Sequence, residues 1–159
     1  MGASLYEPIN VYKPLAPDIG IVDGPFEYLT VGGIRLPLPF TTRMTVVRLS
    51  TGHLFLHSPI KFDERLAKEL RGLVRVRHLV SPNQFHYAHI GEWARAFPDT
   101  IAWASPRVRR RARARHVDVD LRETSTSGRR KNGVGRSISC SFLAAISRSS
   151  FSSTRSQER

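Results

Sequence analysis

The chain is 159 residues long, with a formal net charge of +12 and a single cysteine, Cys140. That length accommodates one domain with a real core, and one cysteine excludes an internal disulfide framework, so the fold is expected to stand on packing in a reducing, cytoplasmic setting. No apolar run nears the roughly 20 residues of a bilayer span, and Met1 to Tyr6 lack the basic and apolar regions of a secretory signal, which points to a soluble protein with no membrane partner.

After an entry punctuated by Pro8, Pro14 and Pro17, the run "IGIVDG" (Ile19 to Gly24) reads as a short strand closed by a turn residue. "FEYLTVGGIRLPLPF" then predicts a hairpin about Gly32 and Gly33, with Pro37 and Pro39 holding its second arm at a sheet edge. "RMTVVRLSTGHLFLHSP" adds two β-rich runs about a turn at Ser50, Thr51 and Gly52. The texture changes at "FDERLAKELRGL", where Leu66, Leu70 and Leu73 recur at helical spacing, Asp63 can cap the start and Gly72 lies near the end. "VRVRHLVSP" reads as a buried strand, "GEWARAFPD" as a helix and "TIAWASP" as a further strand. Trp93, Phe97 and Trp103 are expected to pack helix against sheet. An antiparallel meander followed by α/β alternation predicts an α/β fold: a layered sheet with helices on one face.

The charge is unevenly spread. Residues 1 to 103 hold 11 Lys+Arg and 9 Asp+Glu, a balance of +2, whereas residues 104 to 159 hold 14 and 4, a balance of +10. The run "SPRVRRRARARH" places Arg107, Arg109, Arg110, Arg111, Arg113 and Arg115 on a helix opened by Ser105 and Pro106. Arginines at nearly every position surround a helix instead of forming a groove-facing stripe, so a solvated helix stands beside a phosphate-binding one, with weak, salt-dependent nucleic-acid binding as the signature of the latter. From Arg122 the periodic pattern ends: the last 38 residues contain eleven serines and eight Lys+Arg. Residues 122–159 read as a disordered basic tail, or as the product of a shifted reading frame.

"VSPNQFHYAHIGEW" sets His86 and His89 three residues apart, between a strand and a helix. A loop leaving the C-terminal end of a strand is where α/β sheets gather functional groups, and histidine is the commonest zinc ligand. Two histidines supply only half a tetrahedral set, however, and the neighbours Asn83, Gln84, Tyr87 and Ala88 do not complete it, so an ordinary hydrogen-bonded role competes with metal binding. The phosphate-binding loop, the dinucleotide fingerprint, the nucleophile elbow and the C-x-x-C pair are absent from the sequence, and Ser58 and Ser81 have no base partner in sequence.

The segments "PFTTRMTVVRL", "LHSP" and "HLVSPN", with "FPDTIAWASP" after them, resemble the DUF4336 family, a divergent branch of the metallo-β-lactamase fold superfamily. The resemblance runs from about Leu5 to Leu121. It implies the N-terminal half of an αββα sandwich over residues 1–121, apparently incomplete, followed by the Ser/Arg-rich 122–159. In the active superfamily the loop reads Thr-His-x-His-x-Asp-His-x-Gly. Setting Gly91 on its glycine places His89 at the last His, Ala88 at the Asp, His86 at the second His, Gln84 at the first His and Asn83 at the Thr. Two ligand positions survive, one from each of two metal sites, and His57 in "LHSP" stands as a further candidate ligand where the superfamily has an Asp-Thr-Gly type turn. The resemblance therefore implies a degenerate metal site without catalysis. If activity remains, it implies a hydrolase acting on a small molecule through water bound to zinc or iron, with His86 and His89 as ligands and Asn83 or Gln84 orienting. The alternative is a non-specific nucleic-acid-binding protein using Arg107 to Arg115 and the tail. A half-sandwich is also expected to leave one sheet face uncovered, with apolar surface exposed.

Overall fold

The structure, a computed structural model, describes residues 4–31, 34–83, 86–105, 108–117 and 119–123. The Gly32–Gly33 turn, Gln84, Arg107, Cys140 and the whole Ser/Arg-rich segment from 124 onward lie outside the described residues.

The chain is α/β. Strands β1 (Lys13–Ala16), β2 (Ile19–Val31), β3 (Ile34–Arg48) and β4 (Leu54–His57) precede helix α1 (Glu64–Leu73). There follow β5 (Val76–Ser81), α2 (Ile90–Ala96), β6 (Ile101–Ala104), α3 (Val108–Ala114) and β7 (Leu121–Glu123). All seven strands form one sheet in the order of the sequence, β1 to β7. The pairs from β1 to β4 are antiparallel, and those from β4 to β7 are parallel. Each parallel step needs a crossover, and the crossovers are α1, α2 and α3. Because such connections are right-handed and all three advance the same way across the sheet, the helices gather on one face.

That face holds the main core. Helix α1 forms where Leu66, Ala67 and Leu70 recur at i, i+1 and i+4, and Asp63 starts it by accepting the Leu66 N–H at 3.0 Å. Its buried residues meet Val46, Leu56 and Leu79 from the sheet in one cluster. A fully buried leucine of this kind contributes about 1.5–3 kcal/mol. From α2, Trp93 is wholly buried; its indole N–H donates to the Ile60 carbonyl at 2.8 Å, and its ring lies against Phe97 and Phe62. Val108 and Ala112 anchor α3 to the same cluster.

Two sequence expectations need correction. Trp103 does not pack helix to sheet: successive side chains on β6 alternate, Ala102 and Ala104 take the helix side, and Trp103 joins Val47 and Leu49 around Phe55 and Val80 on the opposite face. There its indole N–H donates to His78 Nδ1 at 3.1 Å. Nor is the middle of that second face an exposed apolar surface, since Phe55 and Val80 are each only 3% exposed. The large exposed apolar residues include Tyr28, Leu29, Ile34, Leu38 and Phe40, all on the β2–β3 hairpin.

This hairpin has a physical reason to stand apart. "IGIVDG" does not end at Gly24; β2 runs on to Val31, with its pairing to β3 shifting between Asp23 and Phe26. β4 covers β3 only over Thr45 to Arg48, and β1 covers β2 only over Ile19 to Ile21. Beyond those points β2 and β3 form a two-stranded arm, and Pro37 and Pro39 fall where β3 has no second neighbour to receive an N–H. Since Thr45 lies opposite His57, the last residue of β4, the arm projects past the C-terminal ends of the parallel strands. Its root is fixed by Asp23, buried and bonded to Lys13 Nζ at 2.9 Å and Arg43 Nε at 2.7 Å. Burial alone would raise the Asp23 carboxyl, but those two hydrogen bonds and their charges outweigh it and hold its pKa below the usual value.

Gly24 follows at the register shift, where a Cβ would stand 2.4 Å from Thr42 Oγ1 and 3.1 Å from the Ile60 side chain. Thr42 cannot turn away without losing its hydroxyl bond to the Pro25 carbonyl. Gly24→Ala is expected to cost about 1–3 kcal/mol in urea unfolding, and Thr42→Ala in the same chain to return part of it. Gly72→Ala, on a helix with nothing within 4 Å of the new methyl, should instead be neutral or stabilise by up to about 1 kcal/mol. Equal losses at the two glycines would show that close packing at the arm's root is not what Gly24 serves.

Candidate functional site

At the C-terminal ends of the parallel strands lies a pocket of about 580 Å³. One wall is the arm (Glu27 to Leu29, Phe40 to Arg43), the floor is Ser58 to Ile60 after β4, the far wall is His86 to His89 after β5, and Arg111 on α3 and Arg115 just after it complete the lining. Open α/β sheets bind their ligands in this position, because successive strand-end loops converge there.

His89 sits at the head of α2, and both of its ring nitrogens face carboxylates. Nε2 lies 3.0 Å from Glu27 Oε1 on the arm, and Nδ1 lies 3.3 Å from Glu92 Oε2 one helical turn on. Whichever nitrogen carries the proton, the other faces a carboxylate oxygen and not open space. His86 belongs to the preceding turn, is exposed, and lines the pocket. The protein around it lowers its pKa by partial desolvation. His57 ends β4 and stacks on Phe55 with ring centroids 6.2 Å apart, which puts it on the sheet face away from the helices. Burial lowers its pKa, and the charge of nearby His86 lowers it further. The three histidines singled out in the sequence are thus neighbours without a shared focus. Among the described residues, no group of three or more His, Cys, Asp or Glu is arranged to hold a metal ion.

Asn83 is exposed, and its backbone carbonyl accepts the Ser81 hydroxyl at 3.1 Å; Gln84 lies outside the described residues. Ser58, which had no base partner in sequence, has one beside it: its Oγ lies 3.3 Å from His57 Nδ1. Ser58 is also held at φ 57°, a conformation a non-glycine residue adopts at some cost, where the chain leaves the sheet. The arginines sort into distinct directions around α3. Val108 and Ala112 form its buried edge, and Arg109 points toward Asp120 at 3.7 Å. Arg110, Arg113 and Arg115 are exposed and Arg111 is half-buried; Arg111 and Arg115, four positions apart, line the pocket. Arg107 lies outside the described residues.

Glu27 and Arg43 are site residues that the sequence reading did not single out. Glu27 reaches His89 across 62 positions, and nothing local in "FEYLTV" announces that meeting. No helix among the described residues is long and apolar enough to cross a membrane. Comparison with protein-family models and with curated proteins returns no match for this chain.

The histidines carry a pH signature. His78 is driven down to about 4, first by burial and then by the charges of Arg77 and His53. An indole N–H can only donate, so the Trp103 bond also requires an unprotonated Nδ1. A histidine whose folded pKa lies below its unfolded value near 6.5 binds fewer protons when folded. Its stabilisation is complete above pH 6.5 and is lost as pH falls toward the folded value. Stability should therefore decline between pH 6.5 and about 4, with His78 contributing at most about 3 kcal/mol of that change. Urea midpoints across this range should show a shallower slope in His78→Gln. An unchanged slope would mean that His78 titrates normally in the folded chain.

Proposed function

We propose that this chain is a binding module of metallo-β-lactamase-like descent, of the DUF4336 type, in which the ancestral metal loop has become a clip for the arm. In this reading the single sheet with helices on one face is one half of an αββα sandwich, and the pocket at its strand ends takes a small molecule without metal-assisted hydrolysis. The observation that carries it is the engagement of His89 at both ring nitrogens by Glu27 and Glu92. A zinc or iron ion needs three or four converging donors with lone pairs free. The set here does not fit such an ion: His89 is taken by two carboxylates, His57 Nδ1 faces Ser58, and no group of three or more His, Cys, Asp or Glu converges among the described residues. Ala88 occupies the aligned aspartate position and offers no donor. The competing nucleic-acid reading gains no support from α3, whose arginines are divided between the pocket, Asp120 and solvent instead of forming one face.

Metal analysis tests the proposal. The purified chain is expected to hold well under one equivalent of zinc or iron. His89→Ala should lower stability by about 1 kcal/mol through loss of the partly exposed Glu27 contact, with metal content unchanged. One or more tightly held ions, released by changing His86 and His89 to Ala, would overturn it.

A further inference from the structure

Successive residues of a strand point to opposite faces, so His57 and Ser58 would not meet if β4 simply continued. Ser58 instead takes φ 57°, and that rotation at the strand's end brings its Oγ to 3.3 Å from His57 Nδ1. The conformation costs a non-glycine residue free energy, and such outliers gather at functional sites whose surroundings hold them in place. Here the Ser58 N–H donates to the Val80 carbonyl at 2.9 Å, which ties the turn to β5. On the other side, His57 is steadied by its stacking on Phe55. Ser58 is only 6% exposed and yet lines the pocket, so its side chain is withdrawn from bulk water beside the space a ligand would fill. A hydroxyl that donates to an imidazole nitrogen is the starting arrangement of serine nucleophilic catalysis. Arg43 lines the same space; Asp23 engages its Nε, and a guanidinium carries five N–H donors in all. Such a group steadies charge developing on a reacting carbonyl oxygen. Tyr28, Phe40, Ile60 and Tyr87 give the lining an apolar, aromatic character, and its 580 Å³ falls within the range of about 300–1,000 Å³ that encloses whole organic molecules.

We infer that Ser58 is a nucleophile and His57 its general base, acting on a carboxylic ester whose apolar, aromatic body lies in the pocket. The inference rests on the metal-free reading above and adds an activity to it. As Ser58 Oγ bonds to the acyl carbon, its proton passes to His57 Nδ1. The ester C–O bond then breaks, and the alcohol leaves with that proton. Water attacks the acyl-serine, giving its proton to the same nitrogen, and Ser58 Oγ takes the proton back as the carboxylic acid departs.

The test uses the full chain at about pH 8, above the ordinary imidazole range near 6.5. One arm is labelling by an aryl-bearing fluorophosphonate, in which fluoride leaves as a serine oxygen bonds to phosphorus, read by peptide mass spectrometry. The other is hydrolysis of 1-naphthyl acetate with and without EDTA. The expected result is one label per chain, on the peptide containing Ser58, and hydrolysis that EDTA leaves unchanged. Ser58→Ala should abolish both. His57→Gln should slow labelling and lower kcat at least about tenfold, since a positioned base contributes about 10²–10⁴-fold, with KM within about twofold because the base acts in the transition state. Ser50→Ala, in the exposed turn between β3 and β4, should change neither. Thermal melts check that each variant folds. Should Ser58→Ala fail to fold, Ser58→Gly removes the same hydroxyl and accepts the positive φ readily. Labelling at other residues, or undiminished in Ser58→Ala, would overturn the nucleophile. Unchanged rates in His57→Gln, or a loss confined to KM, would overturn the base. Absence of both labelling and hydrolysis overturns this inference alone, whereas hydrolysis that EDTA abolishes and zinc restores overturns the metal-free reading on which it rests.

Discussion

The handedness of the crossovers governs everything else in this molecule. Three parallel steps in sequence order, each bridged by one helix, have one sterically favoured arrangement, and it puts α1, α2 and α3 on the same side. The same directionality stacks the carboxyl ends of β4, β5 and β6 at one edge, so Ser58, His86 and α3 arrive together although they are far apart in sequence. The core is the thermodynamic consequence, with Leu56, Leu66, Leu79 and Trp93 leaving water in one cluster. The pocket is the geometric one.

The arm completes the pocket because the antiparallel half of the sheet is longer than its neighbours need. β2 and β3 run 13 and 15 residues, while β4 runs only 4, so their surplus length must go beyond the sheet edge. A free two-stranded ribbon is marginal in water, and this one is held at both ends of its lower half. Asp23 with Lys13 and Arg43 fixes the root, and His89 holds Glu27 further out. The two attachments differ in kind. The first is a buried carboxylate that two cations keep ionised, whereas the second is a partly exposed contact of the sort worth about 1 kcal/mol or less. The root is therefore the stronger of the two attachments.

Much of the fold was legible because its signals are local. Leu66 and Leu70 mark α1, Asp63 caps it, and the apolar runs around Leu79 and Ala102 mark strands. What failed to show has a common cause. Gly24 looks like a stop, yet a glycine also permits the close approach to Thr42 that lets a strand continue through a register shift. β7 is three residues long with Leu121 buried, too short to display a period. The side chosen by Trp103 depends on strand alternation counted from Ala102, and short apolar runs do not say which face is inward. The His89 clip needs a partner 62 residues away. The arginine pattern was the nearest miss. Val108 and Ala112 already stand at i and i+4, and taking them as the buried edge separates Arg111 and Arg115 from Arg109 and Arg113.

Local charge links these observations. In an active metal loop, the bound cation is the dominant positive charge and organises whatever anion or polarised group approaches it. Here no group of three or more His, Cys, Asp or Glu is arranged to hold such a cation among the described residues, and His89 faces carboxylates at both ring nitrogens. The positive groups lining this pocket are the guanidinium groups of Arg43, Arg111 and Arg115. A guanidinium cannot stand in for a metal in chemistry: it neither coordinates water nor lowers its pKa. It can hold an anion in a fixed orientation through paired hydrogen bonds. The described arginines from 109 to 115 are divided between the pocket, Asp120 and solvent, so the charge concentrated after residue 104 does not gather on one face there.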